Sequence, residues 1–347
     1  MKLPEHILVI RLSAPGDVAM TVPILHSFQK TYPGVRLTIL TNKRLAPLFI
    51  NLHANLFFAE TKTEHKGFTG LFNLVRQLRG STKDKRIDAV ADLHNVLRSQ
   101  IIRRLFRMGG IKTAHVDKGR KEKKELTRKE NKILTQLPST FDRYRNVFKE
   151  LGFDFRYDFT SVFPVLPILT ENILLLTGVK KRKWIGIAPF AAYREKMYPF
   201  GLMQEAVEEL YKRQDTKLIF FGSAEDARSL IPWSDKYKDI VIAAGKLNLA
   251  DELILLSHLD VMISMDSANM HFASLVNVPV VSVWGATHLF AGFMGWHQSI
   301  ENAAQVDLYC RPCSVFGNKR CYRGDHACMN LLSPLTITGK AVRILNE

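Results

Sequence analysis

The 347-residue chain contains no apolar run approaching the roughly 18–20 residues that a membrane-spanning helix requires. The best candidate, residues 253–265, is broken by His258 and Asp260 and reads as a helix followed by a strand. The chain runs from Lys2 straight into His6-Ile-Leu-Val-Ile10, too short for a signal h-region and without a small-residue cleavage site. These absences predict a cytoplasmic protein. Cysteine is scarce: all four residues lie between Cys310 and Cys328, a distribution foreign to secreted disulfide scaffolds. Negative charge is also short, with 33 Asp and Glu against 49 Lys and Arg, a net charge of +16. Such a surplus points to an anionic partner, whether nucleotide, phosphorylated glycolipid, membrane surface or nucleic acid. Hydrophobic residues at 46% and charged ones at 24% exclude collagenous and disordered chains and imply a substantial core.

What is present is an alternation. Residues 7–10 are apolar throughout, as in a strand buried on both faces. The loop Ser13-Ala-Pro-Gly-Asp17 leads to an amphipathic stretch, 18–32, where Pro23 either sits in a first turn or kinks the helix. Further strands are predicted at 35–40, 56–59, 87–93 and 113–116, with helices at 45–50, 71–78 and 96–106. The rhythm lapses in a basic segment from Arg98 to Lys132, with 13 Lys and Arg against 4 Asp and Glu. It resumes with a helix at 141–151 and stops at Phe163-Pro-Val-Leu-Pro167. Strands then follow at 184–188, 218–221, 241–243, 261–264 and 280–284. Between them lie helices at 202–213, from about Glu225, at 249–258 and at 268–276, and Ser333-Pro334 caps and opens a last one.

A βαβα order argues for parallel sheets covered by helices. The predicted architecture is α/β: an N-terminal doubly wound domain, 1–165, a linker, 166–182, a second parallel-sheet domain, 183–332, and a C-terminal helix, 333–347. No repeat is visible residue by residue. Two such domains joined once are expected to place a ligand cleft between their strand ends.

Four strand-to-helix loops could carry chemistry. Asp17 follows the first buried strand, where it is either a helix cap or a general base for a hydroxyl that becomes acidic during attack. In Ser264-Met-Asp-Ser-Ala-Asn-Met-His271, the loop Asp266-Ser267-Ala268-Asn269 places several backbone amides at a helix start, an anion cradle, with His271 within the first helical turn. After the first strand of the second half, Arg194 or Lys196 could neutralise phosphate charge, although either could be an ordinary surface cation. Glu225 and Asp226 follow a strand-end glycine, where doubly wound folds bind ribose hydroxyls and where first-turn acids also occur.

No Walker loop or G-x-G-x-x-G opens either half, and no Asp-x-Asp pair stands at a strand end, so a bridging Mg²⁺ is not indicated. Lys196 and the helix amides would supply that electrostatic work. Cys310, Cys313, Cys321 and Cys328 form C-x2-C-x7-C-x6-C, a spacing compatible with a structural zinc site, reduced thiols or a disulfide.

The opening I-L-V-I-R-x-x-x-x-G-D-V-x-x-T-x-P, from Ile7 to Pro23, and D-S-x-x-M-H-x-A-x-x-x-x-V-P-V-V-x-x-W-G-x-T, from Asp266 to Thr287, resemble glycosyltransferase family 9 along essentially the whole chain. That resemblance implies a GT-B fold: two Rossmann-like domains facing a cleft, the first for a lipid-linked acceptor and the second for the nucleotide sugar. It implies metal-independent, inverting transfer of a heptose from ADP-heptose to the lipopolysaccharide inner core, at the cytoplasmic face of the inner membrane. Asp17 matches the family's proposed base and Lys196, before Tyr198-Pro199, its phosphate-binding lysine. Asp266, Ser267, Ala268 and His271 match the donor loop, Glu225 (or its neighbour Asp226) the ribose acid, and His94 and Arg98 a segment facing the acceptor. Two departures stand out: Arg11 where the family usually has Lys, and Ala268 where it usually has Gly. The alternatives are a sibling transferase using another nucleotide sugar for a surface glycan, a GT-B epimerase, and a basic nucleic-acid-binding protein. The last lacks support, because no Phe, Tyr or Trp lies between Val116 and Lys132 to stack on bases.

Overall fold

The computed structural model describes residues 3–81 and 86–347. The apolar opening forms β1 (His6–Ile10), all five residues buried, as expected for the middle of a sheet covered on both faces. Around it lie β2 (Arg36–Thr41), β3 (Ala54–Phe58), β4 (Ala89–Asp92) and β5 (Lys112–His115), all parallel, in the order β3-β2-β1-β4-β5. The second sheet is β6 (Lys183–Ala188), β7 (Thr216–Phe220), β8 (Val241–Ile242), β9 (Val261–Met265), β10 (Val280–Val283) and β11 (Ala303–Ala304). Its order is β11-β10-β9-β6-β7-β8, again parallel throughout. Both orders are that of the Rossmann fold: the chain lays strands outward on one side of the first strand, returns, and continues on the other. Each predicted strand is present, with ends shifted by a few residues; the two-residue β11 was not legible in the sequence.

Pro23 lies in the first turn of a helix, Val22–Thr31, separate from the short helix Pro15–Ala19. Its fixed φ and missing N–H are harmless there, which is why the stretch breaks rather than kinks.

The chain divides into two compact units: Met1–Gly119 with Pro138–Val162, and Arg120–Leu137 with Phe163–Glu347. This differs from the continuous 1–165 domain expected from sequence, and packing explains why. Phe28, on the helix Val22–Thr31, meets Phe148, Phe153 and Phe155 at ring-centroid distances of 4.8, 5.1 and 5.6 Å, which holds residues 138–162 in the first unit. Residues 120–137 belong to the second. Leu126 and Leu137 bury against Ala291, Lys123 lies over the Phe293 ring at 4.4 Å, and Leu137 N–H donates to Phe290 O at 2.9 Å. The predicted linker, 166–182, contains a helix, Glu171–Thr177, whose Ile173 is buried.

The helix Pro334–Asn346, capped by Ser333, contributes Ile337, Ala341 and Leu345 to the second unit's core beside Ile187, Val207, Phe220, Trp233 and Ile263. Among the described residues, no helix is long and apolar enough to cross a membrane.

Candidate active site

In an open parallel sheet, ligands bind at the carboxyl ends of the strands, where strand order reverses and neighbouring loops part. In the first unit the reversal lies between β1 and β4. The loop after β1 carries Arg11 and Asp17, and the loop after β4 carries His94. Asp17 occupies the third position of the helix Pro15–Ala19, not its cap, and its carboxylate remains 37% exposed. Arg11 Nη2 pairs with Asp17 Oδ2 at 2.5 Å, while Nη1 donates to Leu93 O at 2.7 Å. The guanidinium sits 5.9 Å from the centre of the buried Tyr144 ring. Asp17 is therefore held from behind by a buried cation and open in front.

His94 is buried, and its backbone N–H donates to Asp92 Oδ1 at 3.0 Å. Burial first, then the charges of Arg11 and Lys118, lower its pKa to about 3, against a smaller opposing pull from Asp17. It is thus a neutral imidazole at physiological pH. Its buried Nδ1 has no hydrogen-bond partner among the described residues. Arg98 stands exposed in the first turn of the helix Leu97–Met108. Asp92 holds this loop in place, since its Oδ1 also accepts Asn95 N–H at 2.8 Å and its Oδ2 meets Arg103 at 3.3 Å.

In the second unit the reversal lies between β6 and β9, and again both adjoining loops hold candidate residues. Lys196, after β6, pairs with Asp266, after β9, at 2.9 Å, with side chains 15% and 7% exposed. Ser267 caps the helix Ala268–Leu275 in extended geometry but makes no side-chain cap bond; its Oγ meets Ser264 Oγ at 3.2 Å instead. The amides at this helix start are therefore open to an anion beside the Lys196 ammonium. Ala268 begins the helix, and His271 is buried within it. Arg194, the other candidate cation, is exposed and lines a separate pocket with Phe190, Tyr198 and His326.

Local structure treats Glu225 and Asp226 differently. Asp226 Oδ2 accepts both the N–H and the hydroxyl of Ser223 at 2.8 Å, and Ser223 Oγ accepts Asp226 N–H at 3.2 Å. This closed capping box occupies Asp226. Glu225 remains exposed after β7.

The cysteine segment forms the wall of this half-site. Cys313 N–H and Ser314 N–H both donate to Ala286 O, at 3.0 and 3.1 Å, and Ala286 N–H donates to Glu195 O at 3.2 Å. Gly317, at φ +75°, lies so close to the Lys196 stem that a Cβ there would overlap it. Arg311 is buried, and its guanidinium donates to Gly285 O at 2.6 Å, Trp284 O at 3.2 Å, Thr287 O at 3.0 Å and Gln305 Oε1 at 3.0 Å, and also to Val306 O. The sequence assigned no role to Arg11, Arg311 or Gly317; Arg11 alone left a signal, one residue beyond a buried strand.

All four cysteines are free thiols, and burial raises the Cys328 pKa to about 11 and that of Cys313 in the same direction. Among the described residues no three His, Cys, Asp or Glu side chains are placed to hold one metal ion. Cys310, Cys313, Cys321 and Cys328 nonetheless lie near enough for Cys313 and Cys328 each to feel the charge of other thiols of the set.

Two parallel-sheet units in Rossmann order are the domains of the GT-B fold class. The profile of glycosyltransferase family 9 (heptosyltransferase) matches residues 73–321. Lipopolysaccharide heptosyltransferase 1 of Campylobacter coli is 23% identical over 295 residues, covering 81% of this chain and 84% of that protein. Among solved structures, a family 9 glycosyltransferase of Veillonella parvula superposes with a TM-score of 0.76 at 21% identity, covering 100% of this chain and 99% of the other. The Escherichia coli ADP-heptose lps heptosyltransferase II superposes at 0.69 with 19% identity, covering 98% of each. The chain belongs to glycosyltransferase family 9.

Proposed function

We propose that this enzyme transfers a heptose from ADP-heptose to the inner core of a lipopolysaccharide acceptor, inverting the anomeric carbon, with Asp17 as general base. One observation carries the reading: in both units a salt-bridged pair of candidates occupies the loops flanking strand reversal, Arg11–Asp17 in the first and Lys196–Asp266 in the second. The first unit would hold the acceptor, with His94 and Arg98 beside its hydroxyl-bearing sugar. The second would hold the donor, with Glu225 on the ribose and Ser267, Ala268 and His271 around the diphosphate and sugar.

In the transfer, the acceptor oxygen forms a bond to the anomeric carbon as its proton passes to Asp17. The bond from that carbon to the diphosphate breaks on the opposite face, and its electron pair leaves with ADP. Charge builds on the leaving group, where Lys196 and the open helix amides stabilise it. The sugar passes through an oxocarbenium-like transition state. These groups would supply the electrostatics of departure, and the cysteine-bearing segment, through Gly317, shapes the wall behind Lys196. A lipid-linked acceptor implies work at the cytoplasmic face of the inner membrane, with no nucleic-acid partner.

Asp17→Ala tests the role of the base. Turnover is expected to fall by roughly 10²–10⁴-fold, the usual contribution of a general base, with ADP affinity unchanged by calorimetry. Retained turnover would remove Asp17 from the role. The donor is tested by calorimetry with ADP, UDP, GDP and CMP conjugates. Tightest binding of an ADP sugar is expected; preference for another would move the reading to a sibling transferase, a shift the Ala268 methyl could produce.

A further inference from the structure

Two helices of the first unit present a surface that transfer chemistry does not use. Gly67–Ser81 and Leu97–Met108 lie side by side: Arg79 of the first donates to Leu105 O of the second at 3.0 Å and sits 5.2 Å from the Phe106 ring centre. Their inner faces, including Leu71, Leu74, Leu78, Ile102 and Phe106, belong to the core.

Neither helix contains an Asp or Glu, whereas together they carry Arg76, Arg79, Arg98, Arg103, Arg104 and Arg107. Arg103 is engaged by Asp92; Arg76, Arg104 and Arg107 are exposed. Glu64, just before the first helix, is already held by Gln77 at 2.6 Å. The same two helices turn large apolar groups to solvent near their starts: Phe68 at 64% exposure, Phe72 at 54% and Leu97 at 71%. Phe68 and Phe72 stand one turn apart on one helical face, as the i, i+4 spacing requires.

Position adds a further argument. A helix that follows a parallel strand starts at that strand's carboxyl end and runs back along the sheet. Gly67–Ser81 follows β3 and Leu97–Met108 follows β4, so Phe68, Phe72 and Leu97 mark the edge of the unit where Asp17 and His94 also lie.

Exposed aromatic rings on the same two helices as arginines that pair with no carboxylate among the described residues match a bilayer interface, where rings enter the headgroup–acyl boundary and cations meet anionic lipid. The aliphatic Leu97 suits hydrocarbon and gives a nucleic-acid base nothing to stack on. We propose that this two-helix face docks the enzyme onto a membrane surface rich in anionic phospholipid, Phe68, Phe72 and Leu97 entering the interface and Arg76, Arg104 and Arg107 contacting phosphates. The proposal rests on the reading of a lipid-linked acceptor, which it deepens by naming the surface that brings the base-bearing edge to the lipid.

The test is co-sedimentation of the full-length protein with vesicles of phosphatidylcholine alone, or with one quarter phosphatidylglycerol, at low and physiological salt. Binding to the anionic vesicles, weakening with salt, is expected. The Arg76→Glu/Arg104→Glu/Arg107→Glu variant should bind them at least about tenfold more weakly. Phe68→Ser/Phe72→Ser should bind roughly fivefold or more weakly. Both should keep the wild-type melting temperature and turnover on a deacylated, water-soluble acceptor. Failure of the wild type to bind anionic vesicles, or binding by both variants equal to wild type, would overturn the proposal. So would tight binding to single-stranded DNA that both variants lose in parallel. If the vesicle results hold and neither wild type nor variants transfer sugar to any lipopolysaccharide acceptor, the docking face stands and the acceptor reading falls.

Discussion

Replacing Lys196 by Met keeps the stem that packs on Gly317 and removes only the ammonium. Asp266, 7% exposed and 2.9 Å from Nζ in the native pair, then stays buried without its cation. At an effective dielectric of about 20, two charges at this separation attract by about 6 kcal/mol before desolvation is subtracted. Breaking a buried pair from one side costs about 3–5 kcal/mol, because the abandoned charge remains in the interior. Lys196 is 15% exposed, which places the expectation near the low end, about 3 kcal/mol. In a unit of about 200 residues that corresponds to a melting temperature lower by about 6–12 °C. Trp184, Trp233, Trp284 and Trp296 all lie in the second unit, so tryptophan fluorescence during thermal or urea unfolding reads the unit where the pair sits. Asp266→Asn should cost a similar amount, and the double variant should fall short of the sum by at least about 1.5 kcal/mol. ADP affinity of Lys196→Met should drop by roughly 10- to 150-fold, the worth of one charge-assisted hydrogen bond. Single variants within about 0.5 kcal/mol of wild type, or an additive double variant, would refute the argument.

Arg311→Lys leaves at least two of five carbonyl acceptors without a donor, because an ammonium offers three N–H groups to the five of a guanidinium. It should lower urea stability of the second unit by about 3 kcal/mol and weaken ADP binding through the Trp284–Thr287 loop; unchanged melting would contradict that role. Glu252 is pushed by burial to about 7, so its folded form holds a proton that the unfolded chain has released. Its contribution is present at acid pH and lost as pH rises through 7, and Glu252→Gln should raise the fluorescence melting point at pH 8 more than at pH 5. His94 has the opposite sign: with a folded pKa of about 3, stability falls as pH drops below 6.5, by about 2 kcal/mol at pH 5. Its imidazole resonances should not titrate between pH 5 and 8 in the folded protein, and a titration near pH 6.5 would show that the ring is solvated. Elemental analysis of purified protein should find less than one metal ion per chain, with four thiols reactive after unfolding; a full equivalent bound would mean the cysteine segment closes more tightly than it does here.

Much of the architecture is legible along the chain because a buried parallel strand needs an uninterrupted apolar run and its return helix needs an amphipathic one. Residues 7–10, 261–264 and 280–284 and the helices between them follow that rule. The loops after β1, β6 and β9 were equally plain, since strand-loop-helix signals need only local spacing. Less legible was the short β11, whose Ala303 and Ala304 have no distinctive pattern. The helix Glu171–Thr177 was hidden in a proline-punctuated stretch that reads as connection.

The sequence by itself determined which segments become strands, that they alternate with helices in parallel order, and which charged residues fall at strand ends. These are properties of hydrophobic period and of the single residue, and they need no knowledge of distant neighbours. Only the tertiary structure decided that Arg11 backs Asp17, that Lys196 meets Asp266, and that residues 120–137 belong with the second unit rather than the first. The last follows from where Leu126 and Leu137 find apolar cover, against Ala291. A basic segment carries no periodicity that says which core will accept its few leucines, and a charge shows its partner only when folding brings two loops to one edge of a sheet.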